Sequence, residues 1–553
     1  MDLREQIGQR LVIGFPGTEL DPEFKRLVKE YKIGNVILFQ RNLKSMEQVK
    51  ALCADIQELV RRETGHDAFI TIDQEGGKVT RLPGDGCNVP GAMATAATGE
   101  VENAEILAHI TAKELKAVGV NFNLAPCMDI NNNPENPVIG VRSYGDTAET
   151  VAAYGTAAFR GYRKGGVLSC AKHFPGHGDT AVDSHVGLPV IDKTMEELEA
   201  LELKPFRAAM EAGIPAVMGS HILFPKLEPD NVPCTMSRRI ITGVLKDRLG
   251  FPGLVVSDCM EMDAIKKYYG TVKGVVSAMA AGVDMVLVCH TAALQEESAR
   301  AVLQAVEEGR LSGEEMRISA EKVVRLKEEY AKGAETEAPC RCTEEDRALE
   351  REIRRKSIVV MAGDGLRSVG LEREKPGKGA AAQGGDSQGS VGPERQSSGE
   401  CPAAMGPVVL GTAPFFTGSG SYRATLAFND EELSETFAAH MAARLGGTHF
   451  DVGSDPKEEE IGEAVERAGG ASSIVVSLFA AREQAGQYRL VEALSGLGVP
   501  VIAVALYSPY DLKGLPAGVT GIAAWDNTPM TLQALEELFR GEWQPTGRMP
   551  VKL

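Results

Sequence analysis

The stretch EELEALELKPFRAAMEAGIPAVMGSHI (196–222) changes period partway along. As far as Gly213 its apolar residues recur three and four apart, the spacing of one helix face. From Ala216 they form a short run of strand length. Working outward in both directions, the same alternation repeats. LVIGF (11–15), NVILF (35–39), AFITID (68–73), VNFNLAP (120–126) and LSCAKHF (168–174) precede it, and LVVSD (254–258) and MVLVC (285–289) follow. Helical stretches such as ALQEESARAVLQAVEEG (293–309) lie between most of them. One strand followed by one helix predicts a parallel sheet. Eight runs within about 300 residues fit a (β/α)8 TIM-like barrel, with a doubly wound open sheet as the alternative.

A helix over EEMRISAEKVVRLKEEYAKG (314–333) closes this region, and 1–335 is expected to be the barrel domain. A linker and connecting helix are expected over 336–356. From 357 to 553 the alternation resumes, with SIVVM (357–361), PVVLG (407–411), SIVVSLF (473–479), VPVIAVAL (499–506) and TGIAAW (520–525). These predict an open α/β sandwich domain of five or six strands. Residues 370–406 are rich in Gly, Ser, Gln, Pro and charge, too poor in apolar groups to offset the entropy of ordering, and are expected to be a disordered insertion.

The bulk numbers are those of a globular protein. Of 553 residues, 43% are hydrophobic and 25% charged, enough to bury two substantial cores. A net charge of −18 argues against nucleic acid and anionic lipid as partners. No run is long and apolar enough to span a membrane, and the N-terminus has no secretory pattern. The ten cysteines are scattered, several inside apolar runs, and are expected to be reduced. A cytoplasmic location follows as an expectation.

In a barrel, chemistry is carried by the loops that follow the strands. Asp73, Lys172, His173, His221 and Asp258 all end apolar runs, and so would share one rim. The segment KHFPGHGDTAVDSH (172–185) is the densest in ionisable groups. His173, His177, Asp183 and His185 could hold a metal. Lys172 could act as a Schiff-base lysine. His185 could be a general acid/base oriented by Asp183 two residues before it. All of them could also simply satisfy a loop backbone.

KHFPGHGDTAVDSH is similar to a motif of the family 3 glycoside hydrolases, in their β-N-acetylglucosaminidase branch. IDQEGGKVTRL (72–82), NLAPCMDINNNPENPVIGVRSYG (123–145) and VVSDCMEMDAI (255–265) resemble that family's other blocks, in the same order, and PTGRMPVKL (545–553) resembles its closing segment. The resemblance implies a retaining mechanism through a covalent glycosyl-enzyme. Asp258 is then the nucleophile, His185 the acid/base and Asp183 its partner. Asp73, Arg81, Arg142, Lys172 and His173 correspond to sugar-binding positions, while His177 and Asp179 are left to loop structure. Lys78 stands where the family usually has Arg. The resemblance implies no cofactor and no metal. It implies a small GlcNAc-terminated carbohydrate as substrate, with GlcNAc–MurNAc cell-wall fragments as its source. A histidine acid/base, unlike a carboxylate, would not repel phosphate as an alternative acceptor.

Overall fold

A computed structural model describes residues 1–180, 187–332, 342–361, 406–412 and 436–553. Eight strands in chain order form a closed parallel barrel: β1 (Leu11–Ile13), β2 (Asn35–Leu38), β3 (Phe69–Ile72), β4 (Phe122–Asn123), β5 (Leu168–Phe174), β6 (Ala216–Gly219), β7 (Leu254–Cys259) and β8 (Met285–Val288). Closure is direct, because β1 pairs with β8 with Val12 opposite Leu287. That excludes the doubly wound alternative. The strands are apolar on both faces, as parallel strands under helices must be. Val12, Ile37, Phe69, Phe122 and Leu254 fill the barrel interior. Their neighbours Ile13, Val36, Ile70 and Val255 pack outward in the core shared with the helices.

Two strands break the parallel register, both at their C-terminal ends. Between Ala171 and Phe174, β5 advances three residues while β6 advances two. Between Val256 and Cys259, β7 does the same against β8. Each bulge inserts one residue and re-aims the side chains around it. The residues affected are Lys172 and His173 on β5, and Ser257 and Asp258 on β7.

At the opposite end, where the strands begin, the helix Gly313–Tyr330 lays Lys327 across the floor. Its Nζ donates to Gln9 Oε1 and to the Gly34 carbonyl, and it sits over the Phe69 ring. Ser312 caps this helix by accepting from the Glu315 N–H.

The second sheet comprises β9 (Val359–Met361), β10 (Val408–Thr412), β11 (Thr448–Val452), β12 (Ile474–Leu478), β13 (Val501–Ala505) and β14 (Thr520–Ala523), in the order β11-β10-β12-β13-β14-β9. All pairs are parallel except β14 with β9. The sequence reading lacks β11. Its residues THFDV are mostly polar and exposed, because it is an edge strand and carries no buried run. The helix Glu344–Ser357 leads into this sheet from a Thr343/Asp346 capping box. Arg354 of that helix, fully buried, ties three parts together by donating to Asn88 O, Asp526 Oδ2 and Glu350 Oε1. The expected insertion at 370–406 lies outside the described residues except for Gly406. Among the described residues no helix is long and apolar enough to cross a membrane.

Candidate active site

The side chains at the C-terminal rim form one connected network. Lys172, only 2% exposed, places Nζ 2.7 Å from Asp73 Oδ1 and 2.6 Å from Glu75 Oε1. Arg142 grips the same Glu75 with two donors, Nε to Oε2 at 2.9 Å and Nη2 to Oε1 at 2.7 Å. Its Nη2 also lies 3.3 Å from His173 Nε2. Arginine has no acceptor, so Nε2 accepts and the proton of His173 sits on Nδ1. That nitrogen is 2.7 Å from Asp129 Oδ2. Asp129 also accepts from the backbone N–H groups of His173 and His177. Four of the five sugar-binding positions expected from the sequence, Asp73, Arg142, Lys172 and His173, are thus brought together, and Glu75 and Asp129 are what joins them.

Electrostatics keep the network charged. Burial works against ionisation of Glu75, but Arg142 and Lys172 hold its carboxyl well below the usual range. Burial likewise opposes the charge on Lys172, and Asp73 and Glu75 overcome it, raising the ammonium above its ordinary value. A Schiff-base lysine needs a free amine, so this environment argues against that alternative. Burial raises Asp129 and the contacts with His173 lower it further, to about 2. His177, by contrast, is pushed down to about 4, first by burial and then by His173. It donates its backbone N–H to Asp129 and pairs Nδ1 with Thr180 Oγ1, a loop-building role. Asp179 is ion-paired with Lys193 at 2.6 Å.

Asp258 is the penultimate residue of β7, partly exposed, and its Oδ1 accepts from the Cys259 N–H at 2.7 Å. The Cys170 thiol inside the barrel is pushed up mainly by burial, and the charges of Asp73 and Asp258 both add to that. His221, the other ionisable run-end residue, is spent on structure. Its Nδ1 pairs with Thr235 Oγ1 and its Nε2 with the Cys259 carbonyl.

Arg81 stands outside the network. Gln74 accepts from its backbone N–H, and among the described residues its guanidinium makes only a long contact to Thr80 O and its buried Nε has no partner. Lys78, the residue that departs from the family pattern, lies 4.4 Å over the Tyr507 ring of the second domain. Asn131 donates to Tyr510 Oη across the same seam. Asp183 and His185 lie outside the described residues.

Among the described residues one triad could offer three metal ligands: Cys127, Asp129 and His173. Burial, followed by the charge of Asp129, raises the Cys127 thiol well above its ordinary value, so it donates to Asp129 Oδ2 as a thiol. The Asp129–Cys127 and Asp129–His173 hydrogen bonds account for this arrangement. It shares only His173 with the metal set suggested by the sequence, which is His173, His177, Asp183 and His185.

Residues 2–326 match the family model described as the glycosyl hydrolase family 3 N-terminal domain. Beta-hexosaminidase A of Pseudoalteromonas piscicida is 33% identical over 375 residues, 63% of this chain and 62% of that relative. A beta-hexosaminidase of Thiobacillus denitrificans is 35% identical over 293 residues, 52% of this chain and 80% of the relative. Among solved structures, a glycoside hydrolase family 3 beta-N-acetylglucosaminidase from Paenibacillus sp. str. FPU-7 superposes with a TM-score of 0.85 at 36% identity, covering 100% of this chain and 99% of that one.

Proposed function

This chain belongs to glycosyl hydrolase family 3, and from that premise we propose that it is a retaining exo-β-N-acetylglucosaminidase. The observation that carries the reading is the rim itself. A carboxylate, Asp258, stands near the C-terminal end of β7, on the same rim as a charged network of Asp73, Lys172, Arg142 and His173. The network offers fixed donors and an acceptor, suited to sugar hydroxyls and to an acetamido carbonyl. The names of the relatives at 33–36% identity support N-acetylhexosamine as the sugar.

In this reading Asp258 attacks the anomeric carbon while His185 protonates the departing oxygen, giving a glycosyl-Asp258 ester. His185, oriented by Asp183, then takes a proton from water, which releases the sugar with retention. Arg81 adds a donor at the sugar. The substrates are GlcNAc-terminated cell-wall fragments, met in the cytoplasm, and phosphate is an alternative acceptor for the second step.

The leaving group provides the test. A nitrophenolate departs without a proton and a sugar alkoxide does not. His185→Ala should therefore lose about 10²–10⁴-fold on a GlcNAc–MurNAc disaccharide and far less on para-nitrophenyl β-GlcNAc. Azide should rescue turnover as β-glycosyl azide. Equal losses on both substrates with no rescue would remove His185 from the chemistry. A slow 5-fluoro sugar should label the Asp258 peptide, and NMR of products formed in phosphate should reveal any sugar phosphate.

A further inference from the structure

Two thiols lie at the ends of β7 and β8, one of them adjoining Asp258, and the chemistry above uses neither. Cys259 ends β7 and Cys289 directly follows β8, the neighbouring strand, and both belong to the barrel-interior cluster. They lie on neighbouring strands and face the same interior, Cys259 opposite Leu287, and the electrostatics of Cys259 respond to Cys289 and to the adjoining His290. Arg41 Nη1 lies 3.0 Å from His290 Nδ1. Arginine can only donate, so Nδ1 accepts and the ring proton is on Nε2, the nitrogen left to face the thiol. Arg41 also donates to the Cys289 carbonyl at 3.0 Å. A thiol near an imidazole that is itself held by a guanidinium, at 9% exposure, has the surroundings of a reactive cysteine, while Cys289 is wholly buried.

We propose that Cys259 and Cys289 are a peroxide-reactive dithiol whose disulfide switches off the site at Asp258. Cys259 is the attacking thiol. The influence of Cys289, then that of His290, lowers it against burial, whereas burial raises Cys289. The Cys259 thiolate attacks one oxygen of hydrogen peroxide, the O–O bond breaks, and the hydroxide released takes a proton and leaves as water. The resulting sulfenic acid is attacked by the Cys289 sulfur, which gives up its proton. The S–S bond forms, the S–O bond breaks, and a second water departs. Two thiols are oxidised by two electrons and one peroxide is reduced.

The register explains the loss of activity. Cys259 is paired with Leu287, two residues short of Cys289, so bridging the thiols requires the end of β7 to move. That end is held by contacts on both sides of Cys259. Its N–H donates to Asp258 Oδ1, and its carbonyl pairs with His221 Nε2. A displacement of about 1 Å in a reacting group is worth roughly 10²-fold in rate. This consequence rests on Asp258 being the nucleophile; the thiol chemistry does not.

The test treats the full chain with hydrogen peroxide and follows para-nitrophenyl β-GlcNAc turnover alongside non-reducing peptide mapping. Turnover should fall about 10²-fold, with loss of two hydrogens and a linked Cys259–Cys289 peptide, and dithiothreitol should restore it. Cys289→Ala should keep its basal rate but oxidise at Cys259 beyond recovery by dithiothreitol. Cys259→Ser should be indifferent to peroxide relative to its own untreated rate. Cys87 and Cys342, another pair of neighbouring thiols, serve as the internal control. The proposal is overturned if both rim thiols remain alkylatable after treatment, if only Cys87–Cys342 is linked, or if the rim link forms with turnover unchanged. An untreated protein without glycosidase turnover would instead overturn the functional reading, and the mapping would still decide the dithiol.

Discussion

The barrel buries a lysine at each end, and the two live under opposite electrostatics. Lys172 at the rim meets two carboxylates, Asp73 and Glu75, and is held as a cation above its ordinary range. Lys327 at the floor is equally buried but meets an amide oxygen, a carbonyl and the Phe69 ring, with no carboxylate in contact among the described residues, and burial pushes it down to about 7. Both side chains plug the same barrel. Of the two, only Lys172 has carboxylates in contact with its ammonium, which offsets the desolvation that both lysines suffer. A fold needs a filled floor; a site needs charge kept in place at working pH. Of these two lysines, the one with matched carboxylates lies at the rim beside the candidate site, and the one without them lies in the packing of the floor.

The comparison can be broken most severely at Asp258. Asp258→Ala should lower kcat by roughly 10⁴-fold or more while the melting temperature stays close to wild type, because the residue is partly exposed and at a strand end. A large fall in stability would mean that the rim, like the floor, is structural.

Lys172→Met comes next. It leaves Asp73 and part of Glu75 without a counter-ion in a buried setting, and should cost about 3–5 kcal/mol of stability as well as most of the activity. Lys327→Met should cost less, about 1–3 kcal/mol for two oxygens left without a donor, and should leave kcat/KM unchanged. Chemical denaturation and steady-state kinetics on both variants check the contrast. Equal activity losses would erase it.

The pH dependence sharpens the same point. Lys327 titrates near 7 in the folded chain against 10.5 ordinarily. Below pH 7 both states hold the proton and the burial cost is constant. Between about 7 and 10.5 the unfolded chain binds a proton that the folded chain does not, so this group makes stability rise with pH. The difference in unfolding free energy between wild type and Lys327→Met should therefore shift in favour of wild type from pH 7 to pH 10. A pH-independent difference would mean that the lysine is not the titrating group.

The smallest effect is expected at Lys78, which lies over the Tyr507 ring. Lys78→Ala removes the contact with Tyr507 and should cost about 0.5–1 kcal/mol, with kinetics little altered. A large KM change would place it at the sugar.

Much of the site was legible before any tertiary structure. Asp73, Lys172, His173 and Asp258 stand out because a charged residue at the end of an apolar run is conspicuous, and the barrel rule puts all such ends on one rim. His221 obeys the same pattern and is not in the network, because its ring is consumed by Thr235 and a backbone carbonyl. Glu75 and Asp129 were missed. Each sits inside a quoted block, but nothing local distinguishes an acid that anchors a network from one that caps a turn.

The amino-acid sequence by itself determined the alternation of strand and helix, and hence a parallel sheet, because side-chain period follows from backbone geometry within a few residues. It also determined which polar groups terminate the strands. Only the tertiary structure decided that β1 closes on β8, that bulges re-aim the ends of β5 and β7, and that Glu75 receives both Lys172 and Arg142. Those outcomes depend on pairs far apart in the chain. Whether a buried charge meets its partner is settled by packing, and no local window of sequence contains both members of the pair.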